Sequence, residues 1–416
     1  MIVKDEIGGL ERCIDSVAGL VDEIAVVDTG STDGTWPLVQ TLSHRHQQIE
    51  WPNHFGQARN AALDLASEDW VLVLDGDEVL VSGHENIRTA IQEDGLLAAE
   101  VQILNALGDG KVGAFWALRL FRRHPDIRWE GRIHEQVLPS IQAVMARESH
   151  WRFRRVDARI DHDGYLPEVM DAKQKGPRNV GLLKQELAEL PDSAPMSKRA
   201  YIEYKLSAEL GPSGQPHLAQ AANRVMQAGP EERRRFGLAA EVLLSASQQW
   251  CRAGSPEQAL KAADMAADIH ADNAMVALAQ AQSHLALRNV DKAEEAAGRS
   301  RGFEDAHSAF HFDRVAHDVA LSIVEATIAS RRGRGDLQMT IMDGLCQRQV
   351  DHKGAQLARL RVLVEQGLAK EALFGGVEHL KKHGASVGAL LLCADAAQAL
   401  GMTDKAEKWR SMAEGR

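Results

Sequence analysis

The sequence predicts two folds in one chain: an α/β domain on a mainly parallel sheet over residues 1–190, then an all-α helical array over residues 191–416. Three observations predict this. Short β-rich apolar runs alternate with helical stretches up to about residue 165, the pattern of a parallel sheet covered on both faces. After Pro191-Asp-Ser-Ala-Pro195 the β-rich runs stop, and Ala, Leu, Gln and Glu recur with helical periodicity to the end. Within that second half, short segments recur at an interval of 34 residues.

The elements follow in order. Met1-Ile-Val3 is the tail of a first strand. Leu10, Ile14, Val17 and Val21, three and four residues apart, form one face of a helix. Glu23–Asp28 is a second strand. The polar run Thr29-Gly-Ser-Thr-Asp-Gly34 is a tight turn in which Ser31, Thr32 or Asp33 can cap the helix that follows. Gly56–Ala66 is helical. Trp70-Val-Leu-Val-Leu74, five apolar residues without polar alternation, reads as a strand of a parallel sheet buried on both faces. Leu97–Leu104, Phe115–Phe121 and Val156–Ile160 are later strands. In the second half, Ala259 and Ala293 are 34 residues apart, as are Ala372 and Ala406. Each follows a Gly or Asn turn and an acidic helix start. A Gly or Asn there ends one helix by taking a left-handed conformation, and a small Ala lets two helices approach closely. Residues 294–371 hold further, more divergent helix pairs.

Bulk properties narrow the function. With 416 residues the chain has room for two or three domains. A net charge of −11 argues against a surface that coats nucleic acid. Cys13, Cys251, Cys346 and Cys393 lie far apart without CxxC spacing, so neither a zinc site nor a disulfide framework is expected, and reduced thiols in a cytoplasmic protein are. No run of 18 apolar residues suits a transmembrane helix, and no basic-then-apolar signal segment opens the chain.

The candidate chemistry lies in the first half. Open α/β sheets bind ligands outside the carboxyl ends of their strands. There the Trp70–Leu74 run passes into Asp75-Gly-Asp-Glu78. Two carboxylates, Asp75 and Asp77, one residue apart suit a hard cation such as Mg²⁺ or Mn²⁺, which is commonly held by one or two carboxylates plus substrate phosphates. Asp28, at the end of the second strand, offers a carboxylate to a base or ribose, with Gly30 and Ser31 in the adjoining turn. Neither GxGxxG nor GxxxxGK[ST] is present, which removes support for nicotinamide and P-loop chemistry.

Met1-Ile-Val-Lys-Asp-Glu6, Val27-Asp-Thr-Gly-Ser-Thr-Asp-Gly-Thr35, Arg59-Asn60 and Asp75-Gly-Asp-Glu78, in that order, resemble family 2 glycosyltransferases of the GT-A fold, whose core is Rossmann-like. Phe121–Glu135 and Asp161-His-Asp-Gly-Tyr165 resemble a bacterial branch with tetratricopeptide repeats after the catalytic domain, and the 34-residue interval resembles that repeat. Its consensus aromatics are mostly missing. The first strand is also several residues shorter than family members usually carry.

The resemblance implies roles residue by residue. Lys4, Asp5 and Glu6 end the first strand, where this fold contacts the nucleoside; Asp28, Arg59 and Asn60 match nucleotide-side positions, with Asp28 and Arg59 on the uracil or its equivalent. Asp75 stands near ribose and metal, and Asp77 ligates the metal. A late-chain His often supplies a third ligand, and His162 fits that order. From their own place after His162, on a helix or loop, Lys173 and Arg178 offer positive charges to close over the diphosphate, with a solvated face as the plainer reading. Glu135 is the candidate general base, with Glu78 and Asp126 as rivals and a pairing with Arg132 or Arg122 as the plainer reading. Trp129 is a candidate sugar-stacking residue.

The expected activity is inverting transfer of a sugar from a UDP-linked donor, with the repeats holding a protein or peptide acceptor. A homo-oligomer is allowed. The competing expectation is a non-catalytic adaptor that binds a partner through its repeats.

Overall fold

The computed structural model describes residues 1–106, 112–162, 175–303 and 313–415. The chain divides into two compact units, Met1–Asp192 and Ser193–Arg416.

The first unit contains two sheets. Strands β1 (Ile2–Val3), β2 (Ala25–Asp28) and β3 (Arg45–Gln48) are parallel and lie in that order, with Val3 beside Asp28 and Asp28 beside Gln48. Their carboxyl ends are therefore level. Helices α1 (Leu10–Asp15) and α2 (Thr35–Leu42) cover them. Leu10, Ile14 and Val17 are buried as their spacing predicts, although the α-helix itself stops at Asp15.

The second sheet is mixed, in the order β4 (Trp70–Leu72), β7 (Val112–Arg122), β6 (Leu96–Ala106), β8 (Arg152–His162), β5 (Glu78–Ser82). Only β6 and β8 run parallel within it; the other three pairings are antiparallel. This corrects the reading of Trp70–Leu74. The run is not a central parallel strand: β4 ends at Leu72, pairs antiparallel with β7 and is half-buried, and only Val73 and Leu74 beyond it enter the core. β7 runs antiparallel to both of its neighbours, β6 and β4. Helices α3 (Phe55–Leu65), α4 (His84–Ile91), α5 (Leu138–Arg147) and α6 (Lys175–Glu189) complete the unit. Two apolar clusters pack on this sheet, one around Leu74, Leu80, Ile103 and Ile160, the other around Leu97, Phe121, Ile127 and Ile141.

The second unit is all-helical among its described residues. Helices α7 (Met196–Leu210), α8 (Gln215–Gln227) and α9 (Pro230–Arg235) lead into pairs. These are α10 (Ala239–Arg252) with α11 (Pro256–Ala267), α12 (Ala274–Ala286) with α13 (Val290–Gly302), and α14 (Arg314–Arg331) with α15 (Gly335–Arg348). Two more follow: α16 (Lys353–Glu365) with α17 (Ala369–His383), and α18 (Val387–Ala399) with α19 (Thr403–Glu414). Each pair turns through one residue of positive φ: Gly254, Arg288, Gly333, Gly367 and Gly401. The turn of the second pair is made by Arg288, not by the neighbouring Asn289. Ala259, Ala293, Ala372 and Ala406 are all buried, as close helix approach requires. In the α14–α15 pair the equivalent position is Gln338, buried and bonded to Glu365 and Gln366.

Candidate active site

Level strand ends bring three loops together. After β1 the chain turns through Asp5, a non-glycine residue at φ 54°. This conformation is costly for an L-residue unless its surroundings impose it. They do: Asp5 N–H donates to Ser31 Oγ at 2.9 Å, and Thr32 N–H donates to Asp5 Oδ1 at 2.7 Å. Glu6 N–H donates to Thr35 Oγ1 at 2.9 Å, and Asp33 accepts from Ile7 and Thr35. The run read as a helix cap thus stitches β1's turn to β2's. Gly30 and Gly34 take the positive φ angles this path needs. Lys4 and Asp5 are exposed and Glu6 is half-buried at this edge.

Asp28 sits at the centre of the loops, buried, with an asymmetric carboxylate. Its Oδ1 accepts from Gly30 N–H, Ser31 N–H and Gln48 Nε2, at 2.9, 3.0 and 3.0 Å. Its Oδ2 is buried and has no partner among the described residues. Burial alone would raise the pKa, but the hydrogen bonds from Ser31, Gln48 and Gly30 outweigh it and lower it.

The Asp75–Glu78 turn packs against β1's loop. A Cβ on Gly9 would lie 2.7 Å from the carbonyl oxygen of Gly76, and one on Gly76 would lie 3.1 Å from Glu6 Cβ and Cγ. Asp75 is held by arginines: Arg59 Nη2 donates to its Oδ1 at 2.9 Å, and Arg119 Nη2 lies 3.6 Å from its Oδ2. Burial opposes ionisation of Asp75, yet the charges of Arg59 and Arg119 hold its carboxyl well below the usual carboxylate range. Glu78 is buried against Arg119, and burial raises its pKa.

Asp77 and His162 do meet. Glu78 of β5 pairs with His162 of β8, which brings His162 Nε2 to 3.5 Å from Asp77 Oδ1. His162 Nδ1 is 2.9 Å from Asn105 Oδ1 on β6. Burial would lower the His162 pKa; the hydrogen bond to Asp77 and the charges of Asp77, Glu78 and Asp75 raise it. Among the described residues, no group of three His, Cys, Asp or Glu side chains is arranged to hold a metal.

The Glu130–Gln136 loop closes on itself through two backbone hydrogen bonds of 2.9 Å between those residues. Gly131 and His134 both take positive φ within it. Glu135 pairs with Arg59, Nε to Oε1 at 2.5 Å, rather than with Arg132 or Arg122. Arg132 pairs with Glu189, and Arg122 lies over Trp70 and Trp151. Arg59 therefore joins Glu135 to Asp75 and also lies over Trp129, 5.0 Å from the ring centroid. The guanidinium that the resemblance places on a nucleobase is engaged by two carboxylates. Asn60, likewise expected on the nucleotide side, clamps Trp129: it accepts from the Trp129 N–H at 2.9 Å and donates to its carbonyl at 3.0 Å.

The other candidates lie further off. Asp126 pairs with Arg147. Arg178 on α6 stands 5.2 Å from the Phe55 ring centroid. Lys173 lies outside the described residues. Gln48, Arg119 and Asn105 are the residues that sequence reasoning missed. They belong to strands and carry no motif, and only strand register brings them to the acids. A cavity of about 320 Å³ lies behind Arg59 and Trp129, lined chiefly by apolar residues including Leu20, Val21, Trp70 and Leu72. None of Asp75, Asp77, Glu78 or Glu135 lines it.

Residues 1–94 match the profile of the family described as Glycosyl transferase family 2. A TPR repeat-containing protein of Synechococcus elongatus is 32% identical over 253 residues, 60% of this chain and 61% of that one. The SPbeta prophage-derived glycosyltransferase SunS of Bacillus subtilis is 23% identical over 208 residues, 46% of this chain and 45% of its own. The chain thus spans less than two thirds of the length of these relatives. Among solved structures, a tetratricopeptide repeat protein from Parabacteroides merdae aligns with a TM-score of 0.46 at 13% identity, over 59% of this chain and 88% of that one. The helix pairs described above stand on this chain's own turns and buried alanines. Over residues 1–94 the chain is thus similar to family 2 glycosyl transferases, and after Asp192 its described residues form paired helices.

Proposed function

We propose that the chain transfers a sugar, with inversion, from a UDP-linked donor to an acceptor. Asp28 carries this reading. A buried carboxylate oxygen without a donor is costly, and a ligand N–H relieves that cost. Its place at the level ends of β1–β3 is where open sheets bind nucleotides.

The donor set at Asp77 fits a cation. Asp77 Oδ1 and His162 Nε2 are close enough to share one ion, and Mg²⁺ or Mn²⁺ takes its remaining ligands from phosphates and water. Such an ion would supply positive charge to the departing diphosphate. Asp75, engaged by Arg59 and Arg119, serves this reading as part of the charged wall of the cleft. Glu135, fixed by Arg59, is the carboxylate to accept the acceptor's proton. A protein or peptide acceptor along the helix pairs is in keeping with the extended surfaces of such arrays.

The adaptor reading draws on the same arginines: a carboxylate bound by two guanidiniums is withdrawn from a metal. Titrating UDP with and without Mn²⁺ while following thermal unfolding separates the two readings. A ligand at about a hundred times its Kd stabilises a protein by about 2.7 kcal/mol. A Mn²⁺-dependent rise in melting temperature, followed by hydrolysis or transfer from one member of a UDP-sugar panel, is expected. No rise at millimolar UDP would leave the adaptor.

A further inference from the structure

We infer that Gln48 is a second nucleobase contact and that, with Asp28, it reads the imide edge of uracil; this rests on the UDP-donor reading above. The residue lies on β3, whose four side chains are all exposed, directly beside Asp28 in the parallel register. Its only side-chain hydrogen bond among the described residues joins Nε2 to Asp28 Oδ1 at 3.0 Å. An amide NH₂ has two hydrogens. One serves Asp28 Oδ1 and the second is without a partner among the described residues, as is the buried Asp28 Oδ2. The two residues thus present an acceptor and a donor side by side.

Uracil carries the complement. Its N3–H donates, and a carbonyl oxygen stands on either side of it. N3–H meets Asp28 Oδ2, and one flanking carbonyl accepts from Gln48 Nε2. The same amide also fills Asp28 Oδ1, which leaves Oδ2 as the carboxylate's vacant acceptor. An exposed edge-strand glutamine is unnecessary to the core, so its removal should spare the fold.

The test is calorimetric titration of UDP, 2-thio-UDP and 4-thio-UDP into the full chain and its Gln48→Ala variant, with Mn²⁺ present. Sulfur accepts hydrogen bonds poorly, so it weakens whichever carbonyl Gln48 touches. Gln48→Ala should bind UDP roughly fivefold to tenfold more weakly, the worth of one neutral hydrogen bond. The wild type should discriminate against one of the two thio-nucleotides, and the variant should lose that discrimination while keeping the wild-type melting temperature. Unchanged UDP affinity in Gln48→Ala, or thio-discrimination that persists in it, overturns the contact and leaves the donor reading standing. Failure of the wild type to bind UDP removes both.

Discussion

Two acids of the candidate site meet opposite fates. Among the described residues, Asp28 keeps one oxygen without a partner, whereas Asp75 has arginines at both. Asp28 was legible as a candidate because it ends an apolar strand before a polar turn. Its vacancy was not, because it depends on Gln48 arriving from another strand. Replacing Asp28 with Asn should weaken UDP binding by roughly 10- to 100-fold, since an amide loses the charge-assisted bond; titration calorimetry measures this. A second effect concerns pH. The folded-state pKa of Asp28 is depressed, so its stabilisation is present above the ordinary carboxylate range and is lost as pH falls through the folded-state value. Urea unfolding at descending pH should therefore show wild type losing stability more steeply than Asp28→Asn at the acid end. For Asp77→Ala, the Mn²⁺-dependent part of the UDP shift and sugar transfer should vanish while the circular-dichroism spectrum stays unchanged. Retained Mn²⁺ dependence would contradict the place given to Asp77.

At the scale of elements, turns decide most of the outcome. Gly9→Ala would push a Cβ to 2.7 Å from a backbone oxygen of the Asp75–Glu78 turn. We expect about 1–3 kcal/mol of destabilisation, as for other overpacked sites, together with loss of the UDP shift. The repeat turns were readable because a left-handed residue recurs on the helical period. Arg288 departs from that pattern, since it occupies with a side chain the conformation that glycine takes in the other four turns. Arg288→Gly should stabilise the chain by about 1 kcal/mol in urea unfolding, because left-handed backbone costs an L-residue about that much. Ala406→Leu, at a fully buried helix contact, should do the reverse by about 1–3 kcal/mol. The strand Trp70–Leu72 was misread for a related reason. An apolar run shows that residues will be buried, but it does not name the neighbour, and β7 reaches β4 from the opposite direction.

For the whole molecule, candidate chemistry and helical array fall in separate compact units, Met1–Asp192 and Ser193–Arg416. Hydrogen exchange with UDP and Mn²⁺ should slow at residues 3–8, 26–35, 75–80 and 129–136, the segments that meet at the strand ends. Protection confined to the helix pairs would contradict the placement of the site.

The sequence by itself determined the two-part organisation, the helical period and which acids are candidates, because apolar periodicity, turn chemistry and the carboxylates that follow apolar runs are local properties of a chain. Tertiary structure decided what each acid touches. Arg59 links Glu135 to Asp75, Arg119 covers Glu78, and Asn105 and Gln48 stand behind His162 and Asp28. These partners come from distant strands and helices. Hydrogen bonds and charge pairs act only over a few ångströms, so register and packing alone assign them.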